Sequence, residues 1–278
     1  MAGNAIALSA RAAFAAALVI ACVTASAQDK KPAGGAAVLP PVTVTAPRDF
    51  VEKSYRKMIR GMDLFERLHA YAPNASLRFK LLPRKRDTNM KHIELEVLGP
   101  TVDIEVPIAP DDTFALMRNQ QAWDEDAIVT PNRRSRSMTW RAEIRTPGLP
   151  PRTRRLGDLR LECRVGLEAG LVSNNDSLIS KMIHVFTDDP ERYCSNPDAH
   201  YLFFADKPLF GVTLVAGNRR ETLPVSELYA AASEDPGLPY DLPFCDCEVL
   251  VDRTYFMPLG DRSWPDDTLV EFEYMDDP

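Results

Sequence analysis

Histidine is scarce in this chain: the four are His69, His92, His184 and His200, too scattered to form a metal site or a triad by local spacing. The sequence also has no G-x-S-x-G, no H-E-x-x-H, no phosphate-binding Walker loop and no dinucleotide fingerprint. The common motif-bearing hydrolases, nucleotide enzymes and zinc proteases are therefore unsupported. Long apolar runs are missing as well. The longest, Ala12–Val23, is too short for a membrane helix, which needs about 20 residues. No cofactor or metal ion is expected. The acids Asp261, Asp266, Asp267, Asp276 and Asp277 cluster without the spacing of an EF-hand loop.

What the first residues do contain is a leader. Arg11 precedes the apolar run, and Ala25-Ser26-Ala27 offers small residues for cleavage, so residues 1–27 read as a secretory signal peptide. The preceding Val19-Ile20-Ala21-Cys22 also fits a lipobox, which would make Cys22 an acylated N-terminus. Either route predicts export, to a bacterial periplasm. Four cysteines then remain, Cys163, Cys194, Cys245 and Cys247, an even number that suits two disulfides in an oxidising compartment. Cys245 and Cys247 share the apolar face of what reads as a strand running on through Val249 and Val251. An extended backbone cannot close a bond between them. Two pairings follow: 163–245 with 194–247, or 163–247 with 194–245. Zinc is disfavoured by the one-residue spacer, and redox chemistry by the lack of a C-x-x-C.

Residues 28–47 are rich in Pro, Gly and Ala and read as a flexible linker. Within them, Leu39–Pro47 (LPPVTVTAP) resembles a TonB box, the short segment by which outer-membrane TonB-dependent receptors pair with TonB. The resemblance covers nine residues and implies a docking strand, Val42-Thr43-Val44-Thr45, that adds to a partner's sheet edge. The rest of the chain departs from such receptors, since it has no series of ten-residue lipid-facing strands.

Residues 48–73 predict an amphipathic helix, with Val51, Tyr55, Met58, Met62 and Phe65 at helical spacing. Beyond it the apolar period falls to two. Leu77/Phe79/Leu81, Ile93/Leu95/Val97, Val102/Ile104/Val106, Met138/Trp140/Ala142/Ile144 and Leu159/Leu161/Cys163/Val165 all alternate with polar residues. Such alternation predicts antiparallel strands with one wet face. Residues 75–170 therefore read as a β-sandwich domain. Residues 171–278 read as a β-rich region, either a second domain or the other half of one sandwich. That region is predicted to hold a short helix near Asn175–Val185, a hairpin through Gly217-Asn218 and a strand at Val270/Phe272/Tyr274. The fold class expected is mainly β, one or two antiparallel sandwiches of which an immunoglobulin-like form is one version, with accessory helices.

Charge is unevenly spread. The chain carries −7 overall, yet Arg133 to Arg164 holds ten arginines against three acids, and Glu234 to Pro278 holds thirteen acids against two arginines. The two stretches are expected to face each other or to solvate opposite sides. An envelope protein or an anionic envelope component is the partner this charge allows; nucleic acid does not suit an exported chain without interleaved aromatics. Taken together, the sequence points to an exported, non-catalytic binding or envelope-assembly module. A carboxylate-dependent periplasmic hydrolase and a TonB-interacting accessory protein are the alternatives.

Overall fold

A computed structural model describes residues 51–171, 189–198, 200–229 and 247–275, all within one unit spanning Pro47–Pro278. The fold is mainly β, built of several antiparallel sheets. Strand β1 (Lys53–Ser54) leads into helix α1 (Tyr55–Arg67), and a 3-10 turn follows at His69–Tyr71. The helix starts later than its apolar stripe suggests, for two reasons. Lys53 and Ser54 pair with β6 (Ile128–Pro131), and the Ser54 hydroxyl caps the helix by accepting from Lys57 N at 3.3 Å.

Most of the alternating segments after α1 become strands as expected. Strand β2 (Ser76–Pro83) pairs along its whole length with β7 (Met138–Arg145), from Ser76 opposite Arg145 to Pro83 opposite Met138. Strand β5 (Thr113–Phe114) covers the other edge of β2. Strands β3 (Leu95–Leu98) and β4 (Asp103–Glu105) form a hairpin that continues into β6 and β1, with helix α2 (Gln120–Asp124) leading into β6. In the C-terminal half, β10 (Leu209–Ala216) and β11 (Arg219–Thr222) form the Gly217-Asn218 hairpin. Strand β13 (Leu269–Tyr274) lies between β10 and β8 (Thr153–Arg155). A small ribbon joins β9 (Phe203–Phe204) to β12 (Thr254–Tyr255). Val225–Glu227 forms a 3-10 turn.

The main correction concerns Leu159–Val165. This is no strand but part of helix α3 (Leu156–Glu168), in which every residue from Leu156 to Gly166 is buried. Residues two apart on a helix are separated by about 200° of rotation. Alternate apolar residues therefore fall on opposite faces of one buried helix and mimic a strand. Leu161, Val165 and Ala169 enter one core, with Tyr55, Met58, Phe79, Leu81 and Trp140. Leu156, Leu159 and Cys163 enter another, with Phe203, Val212, Leu214, Tyr255, Trp264 and Phe272. One helix thus serves two cores.

Two further expectations fail for related reasons. The polar side of β7 is not wet: Arg141 is 2% and Glu143 7% exposed, with Phe204 O and Asp206 against that side as acceptors from Arg141. The segment from Cys247 is a turn followed by a 3-10 turn at Val251–Arg253, with no strand. The expected helix near Asn175–Val185, the leader and the linker lie outside the described residues.

Candidate anion cleft beside the central helix

Helix α3 begins without a side-chain cap. Its first free N–H groups are satisfied by the loop before β13 instead: Leu156 N donates to Thr268 O at 2.9 Å and Gly157 N to Asp266 O at 2.8 Å. Only glycine fits at 157, since a Cβ there would lie 2.0 Å from Tyr71 O and 2.9 Å from Asp266 O. Tyr71, α3 and Asp266 are thereby drawn together around a cleft of about 200 Å³.

Cleft residues come from segments far apart in the chain: Tyr71, then Arg160 and Arg164, then Ser195, then the loop Leu259–Asp266. The disulfide fixes one wall. Cys163 of α3 is bonded to Cys194, the last residue of the short helix α4 (Pro190–Cys194), with Cα atoms 6.1 Å apart. This overturns both expected pairings, which rested on Cys245–Val251 being a strand and on Cys163 lying in another. Cys247 is disulfide-bonded too. Because Arg164 follows Cys163 and Ser195 follows Cys194, the bond sets Arg164 Nη2 2.8 Å from Ser195 Oγ. The far wall closes at Gly260, where a Cβ would meet the Asn196–Pro197 backbone at 2.5 Å.

Arg160 is fully engaged. It donates to Leu259 O at 2.9 Å, Asp261 O at 2.7 Å and Asp266 Oδ1 at 2.6 Å. Here the basic and acidic stretches do meet. Arg164 is different. It is 2% exposed, donates to Arg160 O at 2.7 Å and Tyr71 OH at 3.2 Å, and lies 4.4 Å from the Tyr71 ring centre. No carboxylate forms an ion pair with it among the described residues, and its buried Nε has no hydrogen-bond partner. Burial pulls its guanidinium below the ordinary arginine range, with Tyr71 and Glu191 opposing. Arg262 is exposed at the rim. The indole of Trp264 forms an apolar wall, held from behind by the Arg219 guanidinium at 3.5 Å.

The opposite flank of α3 carries a closed ionic network. Glu162 Oε2 accepts from Arg154 Nη2 at 2.5 Å, and the same Nη2 donates to Ile144 O at 2.8 Å. Glu143 lies 2.5 Å from both Arg141 and Arg145, and Asp206 binds the same two arginines at 3.2 and 2.9 Å. Burial works to raise the Glu143 carboxyl, but Arg141, Arg145 and Arg154 outweigh it and hold it well below the carboxylate range. At Glu162 burial prevails and pushes the carboxyl up despite Arg154.

No family model, curated protein or solved structure matches this chain.

The predicted site residues are only partly brought together. Cys163 and Cys194 meet; Cys22, Cys245 and the segment Val42, Thr43, Val44, Thr45 lie outside the described residues. His69 contacts Ala75 O at 3.1 Å and the Phe65 ring, and His200 packs edge-on against Phe256. Both serve packing. Among the described residues no group of three His, Cys, Asp or Glu side chains converges to hold a metal ion. The cleft arginines were visible only as members of a basic stretch. Their one local signal is adjacency: Arg164 and Ser195 each follow a cysteine.

Proposed function

We propose that the chain is an exported, non-catalytic binding module that recognises an anionic component of the cell envelope. One observation carries this reading: the cleft presents guanidinium and hydroxyl groups, and its one carboxylate, Asp266, is tied to Arg160 at 2.6 Å. A carboxylate hydrolase needs an acid or base free to reach the substrate. Glu143, Glu162 and Asp206 are held by arginines, and Asp158 accepts from Thr146 N at 2.9 Å and Thr146 Oγ1 at 2.7 Å. The disulfides support an oxidising compartment, and no described helix is long and apolar enough to cross a membrane.

Recovery of the chain from its native envelope, with mass spectrometry of small molecules that co-elute, tests the reading. An acidic ligand at equal molar ratio is expected. Turnover of any member of a peptidoglycan or glycan panel, abolished in Asp266→Asn, would overturn it.

A further inference from the structure

Resting on that reading, we infer that the cleft between α3 and the Leu259–Asp266 loop binds a tetrahedral oxyanion, a phosphate or sulfate group on a small organic body. The argument starts from Arg164. A buried guanidinium without a counter-charge is costly, and a fold gives up stability of this kind where function requires it. No described acid forms an ion pair with Arg164: Asp266 belongs to Arg160, and Glu191 acts on Arg164 only from beyond ion-pair distance. The missing negative charge is what a ligand would bring.

The hydroxyls narrow the ligand further. Tyr71 OH and Ser195 Oγ both accept from Arg164 Nη2. Each uses an oxygen lone pair in doing so, which leaves its O–H proton to donate elsewhere. Arg262, on the same lining, adds a guanidinium fork with no ion pair among the described residues. The cleft therefore offers donors from several sides. One fork satisfies a planar carboxylate, whereas a tetrahedral oxyanion has acceptor oxygens facing all of these groups. The volume, about 200 Å³, exceeds a single ion, given that a water occupies about 30 Å³. Leu259, Trp264 and Pro265 line the remainder with apolar surface suited to a small carbon skeleton. A soluble phosphate ester and a phosphorylated lipid headgroup share this chemistry.

The test is titration of the oxidised mature chain with inorganic phosphate, sulfate, glycerol phosphate, acetate and chloride at constant ionic strength, followed by calorimetry and by Tm. Phosphate, sulfate and glycerol phosphate are expected to bind one per chain and raise Tm, acetate and chloride not. Arg262→Gln, at an exposed position, should weaken binding tenfold or more with an unchanged circular dichroism spectrum; Arg164→Met should abolish it. Vesicles of phosphatidic acid in phosphatidylcholine separate the sources: retention of the chain supports a headgroup, and binding of glycerol phosphate without retention supports a soluble ester. A phosphate effect no larger than that of chloride, or both variants titrating like the wild type, would overturn the inference. That result would leave the binding-module reading standing, which falls instead to turnover.

Discussion

The two flanks of α3 handle the same residue type in opposite ways. On one, Arg154 and Arg141 are buried and matched by Glu162, Glu143 and Asp206 in an ionic network. On the other, Arg164 is 2% exposed with no ion-paired acid among the described residues, and a cleft lies beside it. Burial alone therefore does not mark an arginine as functional. A matched buried pair specifies packing, whereas an unmatched one beside accessible volume leaves room for a ligand's charge.

The largest effect should come from unbalancing the matched flank. Glu162→Leu strands Arg154 in the interior and is expected to cost about 3–5 kcal/mol, read from urea unfolding. Adding Arg154→Met should recover more than half of that, because an apolar pair can replace a buried ionic one. If the single variant unfolds like the wild type, the network is not the structural element described above.

Next comes the disulfide that joins the flanks' shared helix to the cleft wall. Its 31-residue separation gives about 3–4 kcal/mol on the chain-entropy account, so Cys163→Ala/Cys194→Ala should lower stability by about that much. Hydrogen exchange sharpens the comparison. Protection should fall at Cys194–Asp198, where Ser195 is held, and persist in β7. Uniform loss across both regions would show that the bond is not specific to the cleft wall.

This asymmetry explains how much could be read without coordinates. Strands β7, β10 and β13 were legible because the buried apolar residues of each enter a single core. Helix α3 was not, because it feeds two cores, and two interleaved helical stripes look like alternation. Composition held the better signal. Between Leu156 and Glu168 only Val165 is β-branched, and Leu, Arg and Glu dominate, which favours a helix. The cysteine pairing failed through the same error, compounded by a turn read as a strand. The cleft was illegible for a different reason: four separated segments build it, and no spacing along the chain encodes their meeting.

Lys53 provides a control, a buried cation outside the cleft. It is 9% exposed, its Nζ donates to Gly170 O at 3.1 Å, and burial, with Arg84 and Lys57 adding to it, lowers its pKa from 10.5 to about 8. The unfolded chain binds the extra proton between those values, so stability rises with pH across that window, and the full penalty applies below about 8. Lys53→Met should therefore stabilise at pH 7 by about 2 kcal/mol, that is about 3 from the shift less about 1 for the lost hydrogen bond. The advantage should shrink between pH 8 and 10.5. A pH-independent difference would mean that the ammonium is not desolvated.

The smallest change in stability should come from Arg164→Met, and it discriminates most sharply between the flanks. Losing the donors to Arg160 O, Tyr71 and Ser195 costs hydrogen bonds, while removing an uncompensated buried charge returns its desolvation penalty. The two should cancel to within ~1 kcal/mol without ligand, against about 3–5 for Glu162→Leu. In saturating phosphate the wild type should gain stability and the variant should not, opening a gap that grows with the logarithm of concentration. A loss above about 3 kcal/mol without ligand would place Arg164 with Arg154, as a structural cation whose charge the fold already balances.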